Sequence, residues 1–193
     1  MNGFVTVSGK NIHYIEEGSG SNVVLMFHGA SFKAETWKEV GSLRVASEAG
    51  YRAIAVDFPG YGQSEGKREN LSDFVGDFIA SLSVREPVLL GASMGGKAVL
   101  EFALSNRKVP LKSLILVGPV GLKENQARLN ELKGVRILAI WGSEDTISPP
   151  QDNSYLLQEI GAKTAIIDGA PHACYMKEPQ KFNQILYEYL TSI

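Results

Sequence analysis

Gly91-Ala92-Ser93-Met94-Gly95 follows an apolar run, Val88-Leu89-Leu90, and opens a helix-like one from Met94 to Leu104. A strand, a glycine-flanked serine and a helix in that order read as a nucleophile elbow. The turn is so sharp that its serine takes a strained backbone conformation. Small residues two positions to either side let the strand and the helix pass close together. The hydroxyl then stands alone at the sheet edge, beside the first free N–H groups of the helix. Acyl transfer needs that arrangement, an exposed nucleophile with anion-stabilising donors next to it. Two other glycine-rich readings fail. No Gly-Lys-Ser/Thr closes a phosphate-binding loop, and the Gly-x-Gly-x-x-Gly spacing of a dinucleotide fingerprint is absent. An inert serine in a tight strand-to-helix turn is the bland alternative.

A serine nucleophile needs a base, and the chain has only three histidines. His13 lies in an alternating stretch, Asn11 to Glu16, that reads as an edge strand with the histidine at the surface. His28 follows the strand Val23 to Phe27 and precedes Gly29, where it shapes a loop. His172 sits in a turn-rich loop, Asp168 to Cys174, after the strand Thr164 to Ile167. A polar loop at a strand's C-terminal end can bring an imidazole to the serine. The acid belongs between them in the order serine, acid, histidine. Asp145 stands three residues past Gly142, after the strand Arg136 to Trp141. A carboxylate there accepts the histidine Nδ1–H, fixes the tautomer and stabilises the imidazolium. Glu144 and Asp168 are its competitors. Glu144 is one residue out of phase, and Asp168 is too near His172 along the chain. For the oxyanion, one donor is the backbone N–H of Met94. The other comes from the loop after the third strand, at Ala30 or alternatively Ser31.

The rest of the chain reads as a regular α/β pattern. Phe4 to Val7 and Asn11 to Glu16 flank Ser8-Gly9 as an antiparallel hairpin. Six further apolar runs follow, Val23–Phe27, Ala53–Val56, Val88–Leu90, Leu114–Val117, Arg136–Trp141 and Thr164–Ile167. Such near-continuous runs suit strands buried on both faces of a parallel sheet. Leu71, Phe74, Val75, Phe78, Ile79 and Leu82 share one helical face, as do Phe182, Ile185, Leu186, Tyr189 and Leu190. Alternating strands and helices make a three-layer α/β fold. It has about eight strands in a mostly parallel sheet. The expectation is one domain over residues 1–193, without repeat or linker, and with an exposed, glycine-rich loop from Pro59 to Glu69.

With these residues in hand the chain resembles the α/β-hydrolase superfamily over most of its length. His28-Gly29, Trp37, Asp57-Phe58-Pro59-Gly60-Tyr61-Gly62-Gln63-Ser64, the elbow, Gly142-x-x-Asp145 and His172 occur in the family's order. The Asp-x-Pro-Gly-x-Gly-x-Ser stretch reads as a structural loop beside the site. Ser31-Phe32-x-x-Glu35-Thr36-Trp37, Gly50-Tyr51-Arg52-Ala53 and His172-Ala173-Cys174-Tyr175-Met176 look like the small, cap-less abhydrolase-14 (CIB-type) members, which are esterase-like. The resemblance implies Ser93, Asp145 and His172 as a triad. One departure is Gly95, because the elbow varies among those closer relatives; it supports ordinary elbow geometry here. Larger relatives insert a lid after the strand matching Leu114–Val117. Here the stretch from Gly118 to Arg136 holds only a loop and a short helix, so no lid is expected and the site is open and shallow. Phe32, Trp37, Val120, Leu122, Tyr175 and Met176 are candidates to line it, with Ser31, Phe32, Trp37 and Tyr175 as substrate-binding residues. For Trp37, ordinary core packing is an equal reading.

Bulk properties narrow the function classes. At 193 residues the chain can bury a sizeable core without splitting. Nineteen Lys plus Arg against 21 Asp plus Glu leave a net charge of −2. No basic patch points to nucleic acid, and no polybasic tail or long apolar run points to a membrane. The N-terminus does not read as a signal peptide, so a cytoplasmic protein is expected. A single cysteine, Cys174, excludes an internal disulfide and a multi-cysteine metal site. It reads as a small buried apolar residue rather than a reactive thiol. The expected activity is hydrolysis of small or short-chain carboxylic esters through an acyl-serine, with no metal or cofactor and a small-molecule acyl substrate as partner. An open site gives few walls for long chains. The alternatives are transfer of the acyl group to a thiol or amine acceptor, and a non-catalytic interaction protein on the same scaffold.

Overall fold

The computed structural model describes residues 1–105 and 108–193. Its strands follow the apolar runs. β1 (Asn2–Val7) and β2 (Lys10–Glu17) form the expected antiparallel hairpin. β3 (Asn22–Phe27), β4 (Tyr51–Val56), β5 (Val88–Ala92), β6 (Ser113–Val117), β7 (Ile137–Gly142) and β8 (Lys163–Ile167) join them in one sheet of eight strands, ordered β1-β2-β4-β3-β5-β6-β7-β8. β2 runs antiparallel to β4, and every pairing from β4 through β8 is parallel.

Successive side chains of a strand point to opposite faces, and both faces are covered. On one face lie α1 (Ala34–Glu39), α2 (Ser42–Glu48), α6 (Cys174–Lys177) and α7 (Pro179–Thr191), packed on Val24, Met26, Leu90 and Ile115. On the other lie α3 (Leu71–Ser81), α4 (Met94–Ser105), a 3-10 turn (Gln126–Leu132) and α5 (Pro150–Gln158), packed on Leu25, Phe27, Leu89 and Leu116. The stripes expected to face the core do so: Phe74, Val75, Phe78 and Ile79 in α3, and Phe182, Leu186, Tyr189 and Leu190 in α7, are buried. Burying each such side chain contributes about 1.5–3 kcal/mol. Between Gly118 and Arg136 there is a loop and the short 3-10 turn, with no lid. Among the described residues no helix is long and apolar enough to cross a membrane.

Three expectations need correction. β8 closes the sheet rather than lying inside it, so Ile166 is exposed instead of buried. β2 is not an edge strand, since β1 covers its outer side, and His13 is buried rather than superficial. The Phe4 ring packs 5.2 Å from its imidazole, and His13 Nδ1–H donates to Asp57 Oδ2 at 2.8 Å. The loop from Pro59 to Glu69 is exposed or half-buried from Gly60 on, but Pro59 is buried, as are Asp57 and Phe58 before it. Asp57 explains that. Its carboxylate also accepts the N–H groups of Ala34 (2.7 Å) and Gln63 (2.9 Å), tying the loop to the start of α1.

His28 shapes the neighbouring turn, as expected. Its Nδ1–H donates to the Gly29 carbonyl at 2.8 Å, and the Phe58 N–H donates to Nε2 at 3.1 Å. Both ring nitrogens are used by a neutral imidazole that joins the ends of β3 and β4. Burial lowers its pKa below the ordinary 6.5, against the opposing pull of the Gly29 carbonyl and the Asp57 charge. The unfolded chain therefore takes up this proton more readily than the folded one. The resulting stability is fully present above 6.5 and is lost as pH falls through the lower folded value.

Backbones also approach closely where β5 turns into α4. A Cβ on Gly91 would come within 2.3 Å of the Gly95 carbonyl oxygen, and one on Gly95 within 2.4 Å of the Phe27 carbonyl oxygen. These contacts are with backbone, which cannot swing aside.

Two outcomes follow from this packing. Gly95→Ala lowers the unfolding free energy by about 1–3 kcal/mol in urea titration, the range for overfilling a packed site; an unchanged midpoint would refute the close approach. Acidification from about pH 7.5 to about pH 5 destabilises wild type more than His28→Asn; parallel losses in both proteins would remove His28 as a source of acid sensitivity.

Candidate active site

Ser93 is the hinge between β5 and α4. Its φ is +51°, a left-handed value that costs a non-glycine residue about 1–3 kcal/mol. Its N–H donates to the Val117 carbonyl of the neighbouring strand at 2.9 Å, and its carbonyl accepts the Lys97 N–H at 3.0 Å. The backbone thus belongs to the sheet on one side and to the helix on the other. The side chain is turned toward the loops at the C-terminal ends of the strands.

The two other residues singled out from the sequence arrive on adjacent loops. The loop after β7 and the loop after β8 are held together by Ser143 N–H to the Ile167 carbonyl (3.0 Å) and Glu144 N–H to the Ala170 carbonyl (3.0 Å). Gly142 is the close point: a Cβ there would lie 2.0 Å from the Ala170 oxygen. This pairing sets Asp145 against His172, with Nδ1 and Oδ2 2.7 Å apart. His172 Nε2 lies 2.8 Å from Ser93 Oγ. The carboxylate can only accept, so Nδ1 carries the proton and Nε2 keeps its lone pair for the serine hydroxyl. Asp145 is buried, and its Oδ1 accepts the N–H groups of Ile147 (2.9 Å) and Ser148 (2.8 Å). Ser148 Oγ in turn donates to the Pro119 carbonyl at 2.7 Å. Both competitors fall away: Glu144 is exposed, and exposed Asp168 accepts from Ser143 Oγ instead.

A cavity of about 170 Å³ opens at Ser93 and His172. Ala30 and Ser31 line it, as do Phe32 and Tyr175. Met94 is the first residue of α4, so its N–H has no acceptor within the helix. Trp37 does not line the cavity. It is fully buried, stacked on Tyr175 at 4.8 Å and on Phe182 at 6.2 Å, and acts as the floor behind Tyr175. Val120 and Leu122 line a separate neighbouring cavity, and Met176 points to solvent. Ile147, Val117 and Ala173, which sequence reasoning does not single out as lining residues, also form the walls of the Ser93 cavity. Only an isoleucine just past a buried acid hinted at the first of them. Cys174 is fully buried, and burial pushes its thiol pKa up to about 12, which leaves it a packing residue. Among the described residues no group of three or more His, Cys, Asp or Glu side chains converges.

The comparisons with known proteins agree with this architecture. Residues 24–139 match the model of the alpha/beta hydrolase family. Protein ABHD14A of Danio rerio is 33% identical over 175 residues, covering 88% of this chain; the chain spans 64% of that protein's length. The human protein named "Putative protein-lysine deacylase ABHD14B" is 28% identical, covering 99% of this chain and 95% of its own. The crystal structure of a predicted CIB-like hydrolase from Thermoplasma acidophilum superposes with a TM-score of 0.92 at 25% identity, covering 100% of this chain and 98% of the other. With its strained serine between β5 and α4 on an eight-stranded sheet, the chain belongs to the alpha/beta hydrolase family, within it to the abhydrolase-14 type.

Proposed function

We propose that the protein is a serine hydrolase that cleaves small or short-chain carboxylic esters through an acyl-serine intermediate. The observation that carries this reading is the continuous hydrogen-bonded line from Asp145 through His172 to Ser93, at 2.7 and 2.8 Å. In the first half-reaction Ser93 Oγ attacks the ester carbonyl carbon while its proton passes to His172 Nε2. Asp145 stabilises the imidazolium through Nδ1–H. The backbone N–H groups of Met94 and Ala30 receive the oxyanion. The C–O bond to the leaving alcohol breaks as His172 returns the proton to it. Water then gives a proton to His172 and adds to the acyl carbon, and carboxylic acid and free Ser93 are released. A cavity of about 170 Å³ suits small acyl groups.

A second reading keeps the same first step and changes the bond or the acceptor. The human relative's name describes a protein-lysine deacylase. An amide of a lysine side chain would then replace the ester, or an amine or thiol would replace water. Product analysis with ester and acyl-lysine substrates, with and without thiol and amine acceptors, separates these cases.

The decisive measurement is intact mass after exposure to a small fluorophosphonate. One adduct forms on wild type, none on Ser93→Ala, and formation is slowed by at least about a thousandfold in His172→Ala. A folded wild type that takes no adduct would overturn the hydrolase reading and favour a binding role. In steady-state ester hydrolysis Asp145→Asn lowers kcat by about 10⁴-fold, because the wrong imidazole tautomer faces the serine; a loss under tenfold would mean that Asp145 does not set that tautomer.

A further inference from the structure

We propose that Ile147 sets the length of acyl group that the site accepts, by standing as a fixed aliphatic wall between the Ser93 cavity and its neighbour. The proposal rests on the acyl-serine chemistry above. Ile147 is 66% exposed, against 48% for Ile166 on the edge strand. Yet its backbone is pinned. The Ile147 and Ser148 N–H groups both donate to Asp145 Oδ1, Ser148 Oγ is tied to the Pro119 carbonyl, and Pro149-Pro150 follow with fixed φ. An exposed apolar side chain on a rigid mount gains by covering an apolar ligand rather than by packing its own core.

Its position says which ligand. Ile147 lines both the Ser93 cavity of about 170 Å³ and a second cavity of about 240 Å³ beyond it. The first has walls of Phe32, Val117, Ala173 and Tyr175 and suits methyl and methylene groups. The second is mixed, with Val120 and Leu122 beside Lys123, Glu124 and Asn153, so methylenes that got past Ile147 would find an apolar surface there. At roughly 30 Å³ for each water-sized group, the first cavity takes about six non-hydrogen atoms. The substrate class is therefore acyl groups from acetyl to about pentanoyl in length. A longer chain would have to pass through the space that Ile147 fills.

The test is a chain-length series of p-nitrophenyl esters, from acetyl to octanoyl, with wild type, Ile147→Ala, Ile147→Val and Ile147→Trp. Each substitution keeps the backbone N–H that Asp145 holds, and thermal melting checks folding. In Ile147→Ala the octanoyl-to-butyryl ratio of kcat/KM rises at least about tenfold, with Ile147→Val between it and wild type. In Ile147→Trp the butyryl-to-acetyl ratio falls by about tenfold. A merely structural role would lower all esters together and leave the ratios in place. Ratios within about twofold of wild type, in variants that still take the fluorophosphonate, overturn the assignment of Ile147 alone. A wild type that takes no fluorophosphonate overturns the acyl-serine reading and this inference with it.

Discussion

The site is measured from one close approach, that of β5 and α4 around Ser93. With Gly91 and Gly95 within backbone contact, the chain reverses in a single residue, and that residue takes a φ of +51°. The strain of about 1–3 kcal/mol is offset by the surroundings. Val117 and Lys97 hold the serine backbone from the sheet and the helix, and Leu89, Leu90, Val99 and Leu100 are buried on either side. A relaxed turn would place the hydroxyl among its neighbours. The strained one leaves it free, with the unpaired N–H groups of a helix start beside it.

Two buried carboxylates show how similar chemistry serves different ends. Asp57 accepts two backbone N–H groups and the Nδ1–H of His13. Asp145 accepts two backbone N–H groups and the Nδ1–H of His172. Each is a buried charge made tolerable by full hydrogen bonding. The difference lies at the far side of each imidazole. His13 is buried, its Nε2 faces the Gln63 amide at 3.3 Å, and the network only locks the loop after β4. His172 Nε2 faces a serine at the mouth of a cavity. In the proposed reaction one dyad moves a proton while the other holds the frame. What separates them is access.

This difference also explains what the sequence could disclose. Strands buried on both faces leave an apolar run at each site, so β3 to β7 were legible. β8 looked the same in sequence, because the absence of an outer neighbour is set by topology and not by composition. Ser93 and Asp145 were legible because close backbone approach demands glycine at fixed offsets from them, at Gly91, Gly95 and Gly142, and His172 because only three histidines had to be weighed and it alone sits in a turn-rich loop past the acid. His13 was misread because its cover comes from Phe4 across the hairpin and from Asp57 and Gln63, residues 44 and 50 positions away. Trp37 and Tyr175 are both large aromatics in motifs of the same kind. Only the packing order, Trp37 behind Tyr175, decides which of them meets the cavity.

Without a lid, the walls of the cavity come from loops that also carry the proposed chemistry. Gly29 to Phe32 form one side and hold Ala30; Ala173 and Tyr175 follow directly on His172. The coupling is closest at Asp145. One oxygen orients His172, and the other fixes the backbone of Ile147 and Ser148. A shift of that loop to enlarge the cavity would therefore take hydrogen bonds from a buried carboxylate and loosen the imidazole at the same time. Side chains on the loop can change size at little cost to it, whereas its backbone cannot move freely. Selectivity in such a site is adjusted by substituting single wall residues, and a larger change needs an inserted lid, whose walls would owe nothing to the acid.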